Sequence, residues 1–367
     1  MKFKNIYVAA TSQHVGKTTT TLGLVASLAK QGYNVGYSKP VGQKHITVDS
    51  KQVDKDTVLF ADLLKFDIDP DIHSPVILGK GATRQLISDF DPTIYWDRIT
   101  KAGAELNNRH EITIYEGTGH PGVGSVGQIS NAKAAKLLDC SVIMVVEGGI
   151  GSTIDMLNMC MSLFREHNVP ILGVIINKVI PEKIDIVKKY VGAWLKRENL
   201  KLLGVIPYDK TLAYPLLWTV AKAINGTIEH HSEKGYQKIE NIIAGSLAEF
   251  EDFEETDNSL LVVGPRVVDK AIKKLITFSE EKGSDACPLS GLVITGDDDI
   301  PTKTMRYIKK HKLPTIRTPL DTYGAVIKMS NIEVKINRKT PWKITKAIEL
   351  VRENTDLKVL NELIKDK

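Results

Sequence analysis

The stretch AATSQHVGKTTTTLGL, residues 9–24, closes on Gly16-Lys17-Thr18, the triplet that ends a phosphate-binding loop. In such a loop, main-chain N–H groups converge on phosphate oxygens, an ammonium reaches the outer phosphates and a hydroxyl ligates magnesium. Lys17 and Thr18 are the candidates for the last two roles. The standard G-x-x-x-x-G-K-[ST] spacing asks for a glycine five residues before Gly16, where Thr11 stands, so the loop is a variant. Magnesium also requires oxygen ligands and compensating negative charge. Glu116, in IYEGTG, ends an apolar run beside glycine, where packing has no use for an ionised side chain. Asp56, in VDKDTVLFADLL, is either a second ligand or an ordinary helix-start carboxylate. Lys39, in GYSKPVG, either projects into the same crevice to stabilise a transferring phosphoryl group or is a solvated strand end.

These residues need a scaffold that delivers them to one edge. Short apolar, β-rich runs alternate with helical periods, the signature of βαβ units. NIYVAA, NVGYSKP, EITIYEG, SVIMVVEGG, PILGVIINKV and KLLGVIP read as six strands, several apolar almost throughout, as strands covered on both faces should be. The phosphate loop lies between the first strand and a helix carrying Leu22, Val25, Leu28 and Ala29 on one face. A later helix, PEKIDIVKKYVGAWLKREN, places Val187, Tyr190, Val191, Trp194 and Leu195 on one stripe. Ligands of open α/β sheets bind beyond the carboxyl ends of the strands, where Glu116 and Lys39 are expected. Residues 226–260 turn polar, with a helical YQKIENIIAGSLAEF and an acidic EFEDFEETD, and read as a junction. A smaller α/β unit follows, with strands SLLVVG, SGLVITG and LPTIRTP, and one or two amphipathic helices close the chain.

Composition excludes several classes. With 42% hydrophobic and 25% charged residues, the 367-residue chain can bury substantial cores and is not disordered. A net charge of +5 without a basic run interleaved with aromatics gives no reason to expect nucleic acid as a partner. Cys140, Cys160 and Cys287 lack metal or disulfide spacing. The first apolar run is only a strand's length before His14 and Lys17, so a cytoplasmic protein without a membrane span is expected.

Taken together, residues 11–18, GYSKPV, YEGTG, VIINKV and LLGVIP resemble, in order and spacing, the dethiobiotin synthetase-like P-loop domain, including the copy at the front of large bacterial phosphotransacetylases. In dethiobiotin synthetases the loop is one residue longer than standard, and its leading glycine falls here at Ala10. The resemblance implies an ATP site with Mg²⁺. The nucleotide would be bound by Thr11, Ser12, His14, Val15, Gly16, Lys17, Thr18 and Thr19. Lys17 and Lys39 would polarise phosphates, Thr18, Asp56 and Glu116 would form the magnesium shell, Asn177 would recognise the adenine edge, and Pro207 would line the base pocket. Ser12 stands where dimerising partitioning-type relatives carry a signature lysine. The later half resembles a DRTGG domain, although Gly264-Pro265-Arg266-Val267-Val268 replaces its naming motif, leaving Arg266 as an anion contact or a solvated arginine. The expected layout is a parallel-sheet P-loop NTPase domain over 1–225, covered by helices on both faces, a junction over 226–260, a smaller α/β DRTGG-like domain over 261–338 and helices over 339–367.

Departures bear on activity. Too few residues follow the second module for a phosphotransacetylase catalytic domain, so acetyl transfer by this chain is not expected. VGQKH and EGTGHPGVGSVG stand where dethiobiotin synthetases carry their substrate loop and glycine-rich turn. Two functions remain open: ATP-dependent phosphoryl transfer to, or ligation of, a small carboxylate or carbamate substrate, and a nucleotide-responsive regulator that hydrolyses ATP slowly while the DRTGG-like module or a protein partner reads the nucleotide state. The family implies a homodimer.

Overall fold

The computed structural model describes residues 4–79, 81–88, 91–245, 258–281, 287 and 289–365. They fall into two compact units, Met1–Asp209 with Ile336–Lys367, and Lys210–Lys335. The division at 209/210 compares with the boundary at 225 expected from the sequence. Among the described residues, no helix is long and apolar enough to cross a membrane.

The first unit is built on six parallel strands, β1 (Asn5–Ala10), β2 (Val35–Ser38), β3 (Ile112–Glu116), β4 (Ser141–Glu147), β5 (Ile171–Val179) and β6 (Leu202–Pro207). Their spatial order is β6-β5-β4-β1-β3-β2. All six runs read as strands pair in parallel. Every residue of β1 is buried, because strands and helices enclose it on all sides. The parallel register aligns the carboxyl ends of β1, β2 and β3 along one edge, which places the phosphate loop, Lys39 and Glu116 near one another.

Helix α1 (Lys17–Lys30) follows the loop. Leu22, Val25 and Leu28 are buried as expected, but Ala29 is exposed, and Gly23, Leu24 and Thr21 are buried instead. The reason is a second cover. The late helix Pro341–Asn354 packs on α1 so closely that a Cβ on Gly23 would lie 2.1 Å from Val351 Cβ. Just beyond it, Asp356 N–H donates to Leu203 O at 2.7 Å and Thr355 bridges Gly204, tying the returning chain to edge strand β6. In the helix Ile184–Arg197, Val187, Val191 and Leu195 are buried and Trp194 half-buried, but Tyr190 is exposed, because the contact stripe is narrower than the full apolar set.

The second unit holds a five-stranded sheet made of β7 (Thr227–His230), β8 (Asn241–Ala244), β9 (Ser259–Val263), β10 (Leu289–Thr295) and β11 (Thr315–Thr318), in the order β7-β11-β10-β9-β8. Strand β9 alternates between two cores: Leu261 and Val263 pack with Ile272 and Ile308, while Leu260 and Val262 pack with Leu217 and Ile316. The helix expected over 236–250 is not formed at 241–244, which pair in parallel with β9. Ile239 and Ile243 share a helical spacing, but β-branched Ile242 and Ile243 gain more from the sheet, and tertiary pairing overrides the local period. The acidic segment 249–257 lies outside the described residues.

The contact between Gly23 and Val351 leaves no room for a methyl group. Gly23→Ala is expected to destabilise the protein by about 1–3 kcal/mol in urea denaturation. Gly192→Ala, which in its helix meets only Leu202 Cδ2 at 3.5 Å, should be neutral or stabilising.

Candidate functional site

The phosphate loop begins as a continuation of β1. Ala10 pairs with Val145 in regular parallel register, and Thr11 N–H donates to Val145 O at 3.1 Å. Left-handed backbone occurs later, at His14 (φ 62°) and Gly16 (φ 99°). The position that carries the leading glycine in the long loop is therefore ordinary strand here, and alanine suits it. Gly16, by contrast, is required, since a Cβ there would lie 2.0 Å from Asn177 Nδ2. Asn177, in β5 and buried, donates from Nδ2 to Val15 O at 2.8 Å. Asn177, which the resemblance assigns to the adenine edge, fastens the loop in the structure. Pro207 is half-buried and ends β6, at the carboxyl edge of the sheet. Ser12 and Thr19 are half-buried, while His14 is exposed.

Lys17, almost fully buried, donates from Nζ to Ser12 O at 3.0 Å and to Gly119 O at 2.7 Å. Thr18 Oγ1 donates to Glu116 Oε1 at 2.8 Å, and the Tyr37 phenol donates to Glu116 Oε2 at 3.4 Å. Lys39, just past β2, is fixed by its N–H to His73 O at 3.0 Å. Its ammonium hydrogen-bonds Asp56 and lies 3.3 Å from Asp54 Oδ1 and 3.8 Å from Glu116 Oε1. The reading of Lys39 as a solvated strand end is therefore excluded: it is 6% exposed. Asp56 belongs to the same cluster, at the start of α2 (Lys55–Leu64).

Asp54 joins the cluster without having been singled out from the sequence. It is the N-cap of α2, accepting from Asp56 N–H at 2.9 Å, and its other oxygen accepts from Gln43 N–H at 3.1 Å. The two aspartates spaced i, i+2 at a helix start were the available signal. Asn131 was also missed. Buried, it accepts from the Tyr7 hydroxyl at 2.8 Å and Thr118 N–H at 3.0 Å and donates to Thr118 O and His120 O, each at 2.7 Å. These four bonds shape the turn that presents Gly119 O to Lys17.

The electrostatics follow from burial. Desolvation pushes the Glu116 carboxyl up to about 7; Lys39 opposes this, Asp56 adds to it, and Thr18 and Lys17 oppose it further. Burial also works against the charge of Lys39, but Asp56, Glu116 and Asp54 outweigh it and hold the ammonium well above the usual lysine range. Burial and the neighbouring Glu116 keep Tyr37 a phenol, hence a donor. Among the described residues, no three His, Cys, Asp or Glu side chains form a metal cage. Thr18, Asp56 and Glu116 do fit a magnesium ion that draws its other oxygens from phosphate or water, which is how that ion is usually held. In the second unit, Arg266 is exposed and pairs with Asp298 at 3.2 Å, as a solvated arginine does.

A strand-to-helix phosphate loop at the centre of a parallel sheet defines a P-loop NTPase fold. The chain belongs to the family described as an AAA domain, whose model matches residues 4–215, more than half of it. A DRTGG domain matches residues 219–332, so the order of modules read from the sequence is the one present. The chain is 27% identical over 185 residues to an ATP-dependent dethiobiotin synthetase of Clostridium kluyveri, covering 48% of this chain and 74% of that one. It is 20% identical over 362 residues to a phosphate acetyltransferase of Nitratidesulfovibrio vulgaris, 96% of this chain and 50% of the relative. It is 24% identical over 344 residues to a probable cobyric acid synthase of Methanosphaera stadtmanae, 86% of this chain and 65% of the relative. The chain thus spans less than two thirds of these two longer proteins. Among solved structures, the MinD cell division protein of Aquifex aeolicus covers 57% of this chain, and this chain 84% of it, at 17% identity with a TM-score of 0.38.

Two outcomes are expected. Glu116 holds its proton more tightly folded than unfolded, so the ligand-free protein should lose stability as pH rises from the ordinary glutamate range through about 7. Glu116→Gln cannot titrate there, and its stability relative to wild type should rise by about 1–3 kcal/mol between pH 5 and pH 8 in thermal melts. Asn131→Ala leaves buried polar groups unpaired and should cost about 1–3 kcal/mol, with faster amide exchange over residues 117–120.

Proposed function

We propose that the first unit is a Mg·ATP-dependent phosphoryl-transfer engine of the dethiobiotin synthetase type, acting on a small carboxylate or carbamate substrate. The observation that carries this reading is the convergence of Lys17, Lys39, Thr18, Asp56 and Glu116 at the carboxyl ends of β1, β2 and β3. The bound nucleotide and its divalent ion would supply the transferable phosphoryl group and a concentrated positive charge. The chain's own contribution is positioning and electrostatics. The main chain of the loop and Lys17 hold the phosphates, Thr18 with Asp56 and Glu116 holds the ion, Asn177 anchors the loop and borders the base, and Lys39 counters charge that develops in transfer. Nothing in this set acts as an acid or base. The likeness to dethiobiotin synthetase supports the reaction class, whereas the different residues after Lys39 and Glu116 leave the substrate to be found among small acids.

A regulator that hydrolyses ATP slowly is the second reading. It is favoured by the two lysines being engaged, Lys17 by main-chain carbonyls and Lys39 by carboxylates, so that binding must first release both.

Calorimetry with Mg·ATP should show micromolar binding by the wild type that falls at least tenfold in Lys17→Ala, equivalent to about 1.4 kcal/mol. Phosphate release measured against a panel of small carboxylic and amino acids should rise with one of them. Lys39→Ala should lower that stimulated rate by about 10²–10³. Absence of Mg·ATP binding would refute both readings, and binding without any stimulated release would leave the regulator.

A further inference from the structure

We propose that Lys39 is the resident cation of the divalent-metal site and that the metal ion binds tightly only together with nucleotide, whose phosphates receive the displaced ammonium. This rests on the Mg·ATP reading above and goes beyond it by assigning a binding order to a named side chain. The oxygens a metal would use are already in the grip of Lys39. Its ammonium hydrogen-bonds Asp56 Oδ2, and Glu116 Oε1 lies 3.8 Å from it while also accepting from Thr18 at 2.8 Å. A magnesium ion binds oxygens at roughly 2.0–2.1 Å and demands near-octahedral geometry, so it cannot share this small set with an ammonium.

The cluster is also too deeply buried for water to screen two cations side by side. Lys39 is 6% exposed, Asp54 2% and Glu116 1%. Asp54, Asp56 and Glu116 already face the Lys39 ammonium, and Lys17 also acts electrostatically on Glu116, leaving little negative charge to attract a bare metal ion. Polyphosphate changes that balance by bringing its own negative charge and oxygens to both cations at once. The backbone at Lys39 is held by His73 O and followed by Pro40, so the exchange falls to the flexible side chain. Asp54 has a distinct part: it is a cap of α2 rather than an assigned metal ligand, and at 3.3 Å it keeps a partner for the ammonium when no nucleotide is bound.

The test is Mn²⁺ binding to nucleotide-free protein, followed by electron paramagnetic resonance, for the wild type, Lys39→Met and Lys39→Gln. The wild type should bind Mn²⁺ alone weakly, and each variant at least tenfold more tightly, because the competitor is gone. A variant that folds only when Mn²⁺ or Mg²⁺ is supplied supports the proposal equally, since the metal then replaces the ammonium. Equal Mn²⁺ affinity in wild type and variants would overturn it. So would failure of both variants to fold with and without metal, which would make Lys39 a structural counter-ion that no metal can replace. The Mg·ATP calorimetry on the wild type separates the two claims: loss of ATP binding refutes the nucleotide reading, whereas tight binding of Mn²⁺ alone by the wild type refutes only the order of entry.

Discussion

The ammonium of Lys39 can lie in the interior only because Asp54, Asp56 and Glu116 face it, and those carboxylates can lie there only because it faces them. An unpaired buried charge is costly enough that proteins avoid it. Much of the surrounding structure makes this mutual dependence possible. The hairpin His45–Val48 with Lys51–Asp54 carries Asp54 to the site, α2 begins there so that Asp54 can cap it, and β2 ends where Lys39 must emerge. Tyr37, stacked on Phe60 with ring centroids 3.8 Å apart, roofs Glu116 and supplies a hydrogen bond that a solvated carboxylate would have taken from water.

The phosphate loop is governed by a second, steric constraint. Gly16 and Asn177 occupy adjoining space, and the asparagine amide takes the volume that a side chain at residue 16 would need. The loop's shape is therefore set by a strand from the far half of the sheet as well as by its own residues. Lys17 is similarly placed by Gly119 O, whose turn depends on Asn131. Each functional group of the loop answers to a partner distant in sequence, which fixes its position before any ligand is present.

This explains which parts were legible from the chain alone. Gly16-Lys17-Thr18, the six apolar strands and Glu116 beside glycine are local signals, and local signals survive folding intact. Lys39 and Asp56 were visible as alternatives that only tertiary contact could decide. Asn131 carried no local mark, because its meaning lies in the carbonyls of Thr118 and His120. Residues 241–244 went astray for the opposite reason: a helical spacing of Ile239 and Ile243 is real, but the neighbouring strand β9 offers those β-branched side chains a better place. Ala29 and Tyr190 show the limit of periodicity, which names an apolar face without saying how wide its partner is.

The return of the helix Pro341–Asn354 to cover α1 also sets an order of events on the ribosome. The second unit is one uninterrupted stretch, Lys210–Lys335, and can close on itself as soon as it has emerged. The first unit cannot, because Val351 must meet Gly23, and the intervening chain takes on the order of half a minute to synthesise. Throughout that interval the side of α1 around Gly23 lacks its cover. The module that begins later in the chain therefore can finish first, and the nucleotide-binding half matures only once Pro341–Asn354 has emerged.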